Sequence, residues 1–147
     1  MAVLNGMTTY RLYVTTESPT DFISACAGES INPLRIETTT TFYQDFAGGI
    51  SGGSINPLLY AFSPTLVYDS WITIGRESMD SPGASINLVE GDVSWQNPFE
   101  GEGQSIIIDD LIGGAWFALN TPGAPDLNAI AGDDLRVLVG QFTTDGT

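Results

Sequence analysis

The sequence predicts an all-β fold, in the form of a single-domain antiparallel β-sandwich or jelly-roll-like domain over residues 1–147. Short segments rich in β-branched and aromatic residues recur along the chain, and turns rich in glycine and proline (17 Gly and 8 Pro) separate them. No segment shows the apolar period of a convincing amphipathic helix. Residues 1–7 are predicted to form an N-terminal arm.

The N-terminal half contains the clearest strand patterns. Thr8–Thr16 is dominated by β-branched and aromatic residues, and Leu34–Tyr43 includes a run of four threonines that suits a pleated surface. A glycine-rich loop at 47–53 is followed by a predicted central strand, Thr65–Ile74. The short apolar segment Asp21–Ala27 fits a strand or a helical turn equally well.

The C-terminal half is predicted to hold an irregular stretch and three further strands. Residues 91–100 lack a regular period, and we expect Trp95 and Phe99 to anchor this long loop to the core. Asp145-Gly146 is a hairpin-turn signal with no partner strand after it, so residues 144–147 lead into a further strand or the edge is filled otherwise. The three strands are Gln104–Asp109, Trp116–Leu119 and Leu135–Thr143.

The charge balance is the most unusual global feature. Eighteen Asp and Glu stand against four Arg, with no Lys and no His, and the net charge is −14. Such a surface repels phosphate backbones and anionic lipid headgroups, so neither nucleic acid nor a membrane is an expected partner. It also keeps copies of the chain apart, and self-assembly therefore requires apolar or hydrogen-bonded contacts, or bound cations.

The cysteine content and the first residues say little about cellular setting. Cys26 is the only cysteine, which excludes an internal disulfide framework and a multi-cysteine metal cluster. Residues 1–7 carry no positive region followed by an apolar one, so no signal peptide is seen. No apolar stretch of about eighteen residues predicts membrane insertion.

The composition leaves little catalytic chemistry open. Without His and Lys, the chain lacks the usual bases of nucleophilic catalysis, and Cys26 is best interpreted as a small buried hydrophobic residue. Paired carboxylates could support glycoside hydrolysis across a cleft, but such pairs arise by chance in a strongly acidic chain. No catalytic or cofactor-binding residue is therefore assigned. The carboxylates considered are Asp69, Glu77, Asp109 and Asp110.

Calcium is the one cofactor that the composition suggests. This ion prefers carboxylate and carbonyl oxygens, which Asp109-Asp110 and Gly132-Asp133-Asp134 could supply from loops. Neither EF-hand spacing nor a glycine-aspartate repeat accompanies these pairs. Solvated acidic loop ends are the simpler interpretation, and no metal ligand is assigned.

The aromatic and basic residues suggest where contacts form. Trp71 and Trp116 lie within strand patterns and are predicted to be buried, whereas Trp95 is predicted to be the tryptophan that reaches a partner. Arg11 and Arg136 lie on strands among apolar neighbours. Each fits either a buried or interfacial ion pair or a free surface position.

Four segments carry a resemblance to a known kind of module: Arg11–Thr20, Tyr68–Gly75, Gly113–Phe117 and Asp133–Gly146. Together they resemble an uncharacterised β-rich module of marine bacterial and algal-environment surface proteins, spread from about residue 8 to the end. The resemblance implies an extracellular or particle-surface structural module without known catalytic residues. In that module a further strand usually follows, and the lack of a signal peptide here shifts the expected setting to a phage or virus structural protein.

These observations lead to one expected function and one alternative. We expect a non-enzymatic structural protein that assembles with itself or with other structural proteins, as a virion coat, decoration or appendage subunit. The expected location is a virion or an extracellular particle surface. The alternative is a secreted or surface binding module for carbohydrate or protein, with calcium as a possible aid.

Overall fold

The computed structural model describes residues 4–147, and it shows a β-rich chain with one short α-helix and several small antiparallel sheets. The helix, α1, spans Gln96–Glu102, and 3₁₀ turns lie mainly between the third and fourth strands. The strands in chain order are β1 (Thr8–Thr15), β2 (Ala25–Gly28), β3 (Leu34–Ile36), β4 (Trp71–Ile72), β5 (Asn87–Val89), β6 (Ile106–Ile108), β7 (Gly114–Phe117), β8 (Asn120–Thr121), β9 (Ala124–Pro125) and β10 (Arg136–Thr144).

Two three-stranded sheets contain most of the paired strands. One has the order β1-β10-β4 and the other has the order β2-β7-β5, and all pairings are antiparallel. Two smaller sheets, β3-β6 and β8-β9, complete the set. The all-β class is thus confirmed at the level of a β-rich chain made of small sheets.

The pairing of β1 with β10 is the longest ladder in the part of the chain that the structure describes. It runs from Thr8 opposite Thr144 to Thr15 opposite Arg136, with one irregularity between Leu12 and Tyr13. Both strands were predicted from their β-branched and aromatic residues, and their ends lie within one residue of the predicted ones.

A single main core joins the two larger sheets. Trp116 of β7 and Trp95 pack with their ring centroids 5.9 Å apart, and Phe42, Phe99 and Phe142 form an adjoining aromatic group. The main core cluster also takes in Ile72, Val137 and Val139 from the first sheet. Burial of these side chains is the main source of stability for a chain with such short strands.

The predicted strand Leu34–Tyr43 is wrong beyond Ile36. The threonine run that follows bends instead, and Phe42 makes only an isolated bridge to Thr144. The hydroxyl of Thr38 lies 2.8 Å from that of Thr144, and Thr40 donates to a carboxylate oxygen of Asp145 at 2.7 Å. The threonines therefore serve side-chain hydrogen bonds rather than a ladder.

The predicted central strand Thr65–Ile74 is reduced to the two residues of β4. Pro64 begins a 3₁₀ helix that continues to Tyr68, because its fixed φ suits the first position of a helix. The residues of 71–74 are nonetheless fully buried. Because β4 lies at the end of the order β1-β10-β4, the prediction of a long central strand is wrong.

The stretch 91–100 is helical at its end rather than irregular throughout. Helix α1 ends at Glu102 and is capped by Gly103, whose φ of +66° is a left-handed conformation that glycine adopts without strain. Trp95 and Phe99 are both buried, which confirms that they anchor this region to the core. The ambiguous segment Asp21–Ala27 contains the start of strand β2.

The end of the chain packs against the threonine run. The backbone N–H of Thr39 donates to the carbonyl of Thr147, and the N–H of Thr147 donates to the hydroxyl of Thr39, both at 3.1 Å. The edge of β10 next to Thr144 is thus occupied by residues 38–42.

Of the predicted N-terminal arm, residues 1–3 lie outside the described residues, and Met7 donates a backbone hydrogen bond to Leu4. No helix within residues 4–147 has the length and apolar character to cross a membrane.

Candidate assembly interface

Strand β1 lies at the open edge of its sheet. It pairs with β10 on one side, and no other described strand pairs with its second side. The outer side of this eight-residue strand therefore has no strand partner within the described residues, and most of its residues are exposed. Such an edge offers N–H and C=O groups to another strand.

The apolar face of β1 continues past the core into solvent. Tyr10, Leu12 and Val14 share this face, but only Val14 packs against the core, whereas Tyr10 is 54% exposed and Leu12 44% exposed. They border a groove of about 360 Å³ that is also lined by Ile36, Phe42 and Phe142. We name this edge and groove the β1 edge.

The opposite face of β1 is polar and already satisfied within the chain. Arg11 donates from Nε to Gln141 Oε1 and from its guanidinium to Glu77, each at 3.1 Å. Arg136 stacks over the ring of Tyr13 at 4.2 Å. Of the alternatives left open for the two arginines, Arg11 makes a solvent-exposed ion pair and Arg136 makes a cation–π contact.

Strand β1 lies in one of the stretches of the sequence that lack acidic residues. Residues 1–16 contain no Asp or Glu, although the whole chain carries a net charge of −14. Arg11 gives this segment a positive charge. Two acidic side chains from elsewhere in the chain nevertheless border this edge, since Glu77 pairs with Arg11 and Glu37 lines the groove.

The prediction that Trp95 reaches a partner is wrong. Its side chain is only 3% exposed, and its indole N–H donates to the carbonyl of Val89 at 3.2 Å. The predicted burial of Trp71 and Trp116 is confirmed. The prediction assumed that a tryptophan in a loop-like sequence is exposed. The loop instead folds over the core, and Trp95 is the side chain that anchors it there.

Cys26 lies on β2 and packs against the main core. Burial raises the pKa of its thiol to about 11, so the thiol stays protonated at neutral pH. This placement agrees with the interpretation of Cys26 as a small hydrophobic residue.

Asp69 is the most deeply buried of the four carboxylates considered as catalytic candidates. It accepts hydrogen bonds from the backbone N–H of Asp45 at 2.7 Å and of Gly49 at 3.4 Å. Burial raises its pKa to about 7, and the nearby carboxylates of Glu100 and Asp45 act in the same direction. Its contacts hold a loop in place beneath the surface.

Asp45 lies beside Asp69 and behaves in the opposite way. Burial alone would raise its pKa, but hydrogen bonds from Thr65, Ala47, Tyr43 and Ser63 together lower the pKa below its usual value. Two neighbouring carboxylates are thus pushed in opposite directions by their surroundings. Both sets of bonds tie the loop 45–49 to the 3₁₀ segment that contains Thr65.

The other three candidate carboxylates each form ion pairs or hydrogen bonds within the chain. Glu77 pairs with Arg11, and Asp109 pairs with Arg35 at 2.6 Å. Asp110 accepts hydrogen bonds from the backbone N–H groups of Gly113 in its own turn and of Val93 in the loop 90–94. These contacts indicate that Glu77, Asp109 and Asp110 hold loops and strand ends in position.

The calcium candidates occupy loop positions. Asp109 and Asp110 make the contacts just described, and Asp133 and Asp134 are exposed in the turn before β10. Within residues 4–147 no group of three or more His, Cys, Asp or Glu side chains is placed to hold a metal ion.

The protein is thus β-rich and has an accessible edge strand, β1, in which Arg11 is the one charged residue. Comparisons with family models, with curated proteins and with solved structures found no match to the chain. The β1 edge is therefore described from the chain's own geometry alone. Sequence reasoning found the strand but missed its edge position, because the position of a strand within a sheet depends on distant partners and leaves no local pattern.

Proposed function

We propose that the protein is a non-enzymatic structural protein that assembles with copies of itself or onto a larger protein lattice, as a virion coat, decoration or appendage subunit. The setting in this proposal is a virion or an extracellular particle surface. We infer that the two three-stranded sheets, which share one core, belong to a β-sandwich. Other structural proteins, rather than nucleic acid or a membrane, are the proposed further partners.

The observation that carries the proposal is the β1 edge. A second copy pairs its own β1 with this edge in an antiparallel, two-fold arrangement, so that the same residues serve both sides of the contact. Backbone hydrogen bonds then fill the unpaired ladder, and Tyr10 and Leu12 of each copy lose their exposure.

The size of this contact sets the expected strength. Burying an exposed large apolar side chain stabilises by about 1.5–3 kcal/mol, so the half-exposed Tyr10 and Leu12 contribute about 1 kcal/mol each. A single strand pair buries less than the roughly 800 Å² per partner of a standard interface. Association through β1 is accordingly weak for one pair and becomes stable when each subunit makes several contacts.

Charge makes the association dependent on salt. Two copies with a net charge of −14 repel each other over distances that shrink to about 8 Å at physiological ionic strength. The contacts of the β1 edge are apolar and backbone hydrogen bonds, which salt weakens little. Self-association should therefore strengthen as salt rises from low to moderate concentration.

Light scattering on the purified chain tests the proposal. We expect the mass to increase with protein concentration and salt, and we expect the increase to disappear in Leu12→Lys, which places a charge on the edge. Leu127→Lys is the matched control, since Leu127 is 72% exposed and lies outside β1. A monomer under every salt and calcium condition would contradict the proposal, and equal effects of the two variants would assign the interface elsewhere.

A further inference from the structure

Three turns meet at one end of the two sheets that contain β2, β3, β6 and β7. The turn 29–33 joins β2 to β3 and the turn 109–113 joins β6 to β7, while the register pairs Gly28 with Gly114 and Leu34 with Ile108. The two turns therefore lie side by side. The loop 90–94 joins them, because the backbone N–H of Val93 donates to Asp110 at 3.0 Å.

These turns present large apolar side chains to solvent. Ile31 is 84% exposed and Leu111 is 82% exposed, and each stands in the middle of its turn. Ile112 is 68% exposed and Val93 is 53% exposed. We name these four residues the apolar tip. Single exposed apolar residues are ordinary, but a group gathered on adjacent turns is typical of an interaction site.

Carboxylates hold the turns in a fixed shape. Glu29 accepts from the backbone N–H of Ile31 at 2.6 Å and of Asn32 at 2.8 Å, and Asp110 accepts from that of Gly113 at 2.6 Å. Glu90 accepts in the same way from Trp95 and Gln96, at 2.9 and 2.7 Å. Because these bonds set the backbone before a partner arrives, docking costs less conformational entropy than it would for free loops.

The same turns surround the apolar tip with negative charge. Arg35 is the one basic residue in these strands and turns, and Asp109 pairs with it. A partner that buries the tip must also meet this rim, which favours positive charge around an apolar centre. The rim consists of Glu29, Glu90, Asp92, Asp109 and Asp110.

A second copy of the chain does not offer such a surface. Of the four arginines, Arg11 pairs with Glu77, Arg35 lies in β3 and pairs with Asp109 of the rim, and Arg136 stacks on Tyr13. Arg76 donates to three backbone carbonyl oxygens of its own region. The chain has no Lys and no His, so the complementary positive charge must come from another molecule.

We propose that the apolar tip is a docking site for a different protein that presents an apolar stripe flanked by Lys or Arg. The apolar stripe covers Ile31 and Leu111, and the flanking cations meet the acidic rim. This contact is separate from the β1 edge. It gives the chain a second and heterologous surface, by which a subunit attaches to a partner of another kind.

A synthetic helix-forming peptide with leucines on one face and lysines beside them is the probe. Fluorescence anisotropy measures its binding to the full chain, and amide chemical shifts locate it. We expect shifts within 29–33, 90–94 and 109–113, and affinity weaker by about tenfold or more in Ile31→Ser/Leu111→Ser. Leu127→Ser, an exposed leucine outside the three turns, is the matched control and should bind as the wild type does.

Peptide controls separate the two parts of the recognition. A peptide with serine in place of leucine and a peptide with glutamate in place of lysine should both bind weakly. Absence of binding, equal binding of the serine peptide, or shifts elsewhere on the chain would overturn the proposal. Binding of the chain to phosphatidylcholine vesicles that is lost in Ile31→Ser/Leu111→Ser would overturn it in favour of a lipid surface.

The two interfaces can fail independently. Ile31→Ser/Leu111→Ser should leave the concentration-dependent mass of the chain unchanged, and Leu12→Lys should leave peptide binding unchanged. Loss of self-association in the tip variant would show that the tip belongs to the same contact as β1, which would also overturn the proposal.

Discussion

The buried carboxylate of Asp69 accepts a hydrogen bond from the backbone N–H of Asp45 at 2.7 Å. The two residues are 24 positions apart, and the bond fixes the loop 45–49 over the 3₁₀ segments that follow it. Glu100 lies near enough to act on the charge of Asp69, and burial raises its pKa as well. This acidic group makes the stability of the fold depend on pH.

Stability should fall as pH rises from about 4 to about 7 because of Asp69. Its pKa is about 7 in the folded chain, whereas an unfolded Asp titrates near its ordinary value of about 3.9. Between these pH values the folded chain holds a proton that the unfolded chain has lost, so each rise in pH favours unfolding. The loss for this group is on the order of 2–4 kcal/mol.

Urea denaturation at pH 5 and pH 8 measures this effect in the wild type, in Asp69→Asn and in the exposed control Asp133→Asn. The carboxamide oxygen still accepts from Asp45 but carries no charge, so the pH dependence should be smaller in Asp69→Asn. The control should follow the wild type. Equal slopes in all three proteins would contradict the assignment of the proton to Asp69.

Gly48→Ala should strongly destabilise the chain. A Cβ added at Gly48 would overlap the Asp69 carboxylate and approach the carbonyl of Asp45. The carboxylate would have to leave its position in the loop, at a cost of about 2–4 kcal/mol for the broken buried network. Thermal or urea denaturation measures the change.

The matched control for this substitution is Gly101→Ala. Gly101 lies in α1, and nothing stands within 4 Å of an added Cβ. Alanine there should stabilise by about 0.5–1 kcal/mol, because glycine is the poorer helix residue. A similar response of the two variants would argue against a specific clash at Asp69.

Trp95→Ala should strongly destabilise the chain rather than remove a binding surface. The side chain is buried, packs on Trp116 and donates to Val89, so its removal leaves a large cavity and an unsatisfied carbonyl. The expected loss is about 3–5 kcal/mol in the free energy of unfolding. Phe62→Ser, at a side chain that is 85% exposed, should change stability by less than about 0.5 kcal/mol. A stable Trp95→Ala protein would restore the idea of an exposed Trp95.

The strands that could be predicted are those whose own residues show a strong local preference for β-structure. In β1 and β10, β-branched and aromatic residues predominate, and the predicted boundaries followed from them. The residues after Ile36 have the same local preference, but their hydroxyl groups bond to Thr144 and Asp145, more than 100 positions away. Local propensity contains no information about such distant partners.

The candidate surfaces could be predicted less well than the strands. Alternation placed Tyr10 and Leu12 on one face of β1, but the order of strands in the sheet decides whether that face is covered. Ile31 and Leu111 carried a weak signal, since each is a large apolar residue inside a turn. Only the pairing of β2 with β7 and of β3 with β6 brings those turns together.

Hydrogen exchange of the β1 amides tests the central claim most directly. The chain should be exchanged at a dilute concentration and at one where light scattering detects association, with peptides that separate Thr8–Thr15 from the turns at 29–33 and 109–113. We predict that only the β1 peptides gain protection on association, because their outward N–H groups then enter a ladder. Unchanged exchange in β1 while oligomers are present would contradict the account.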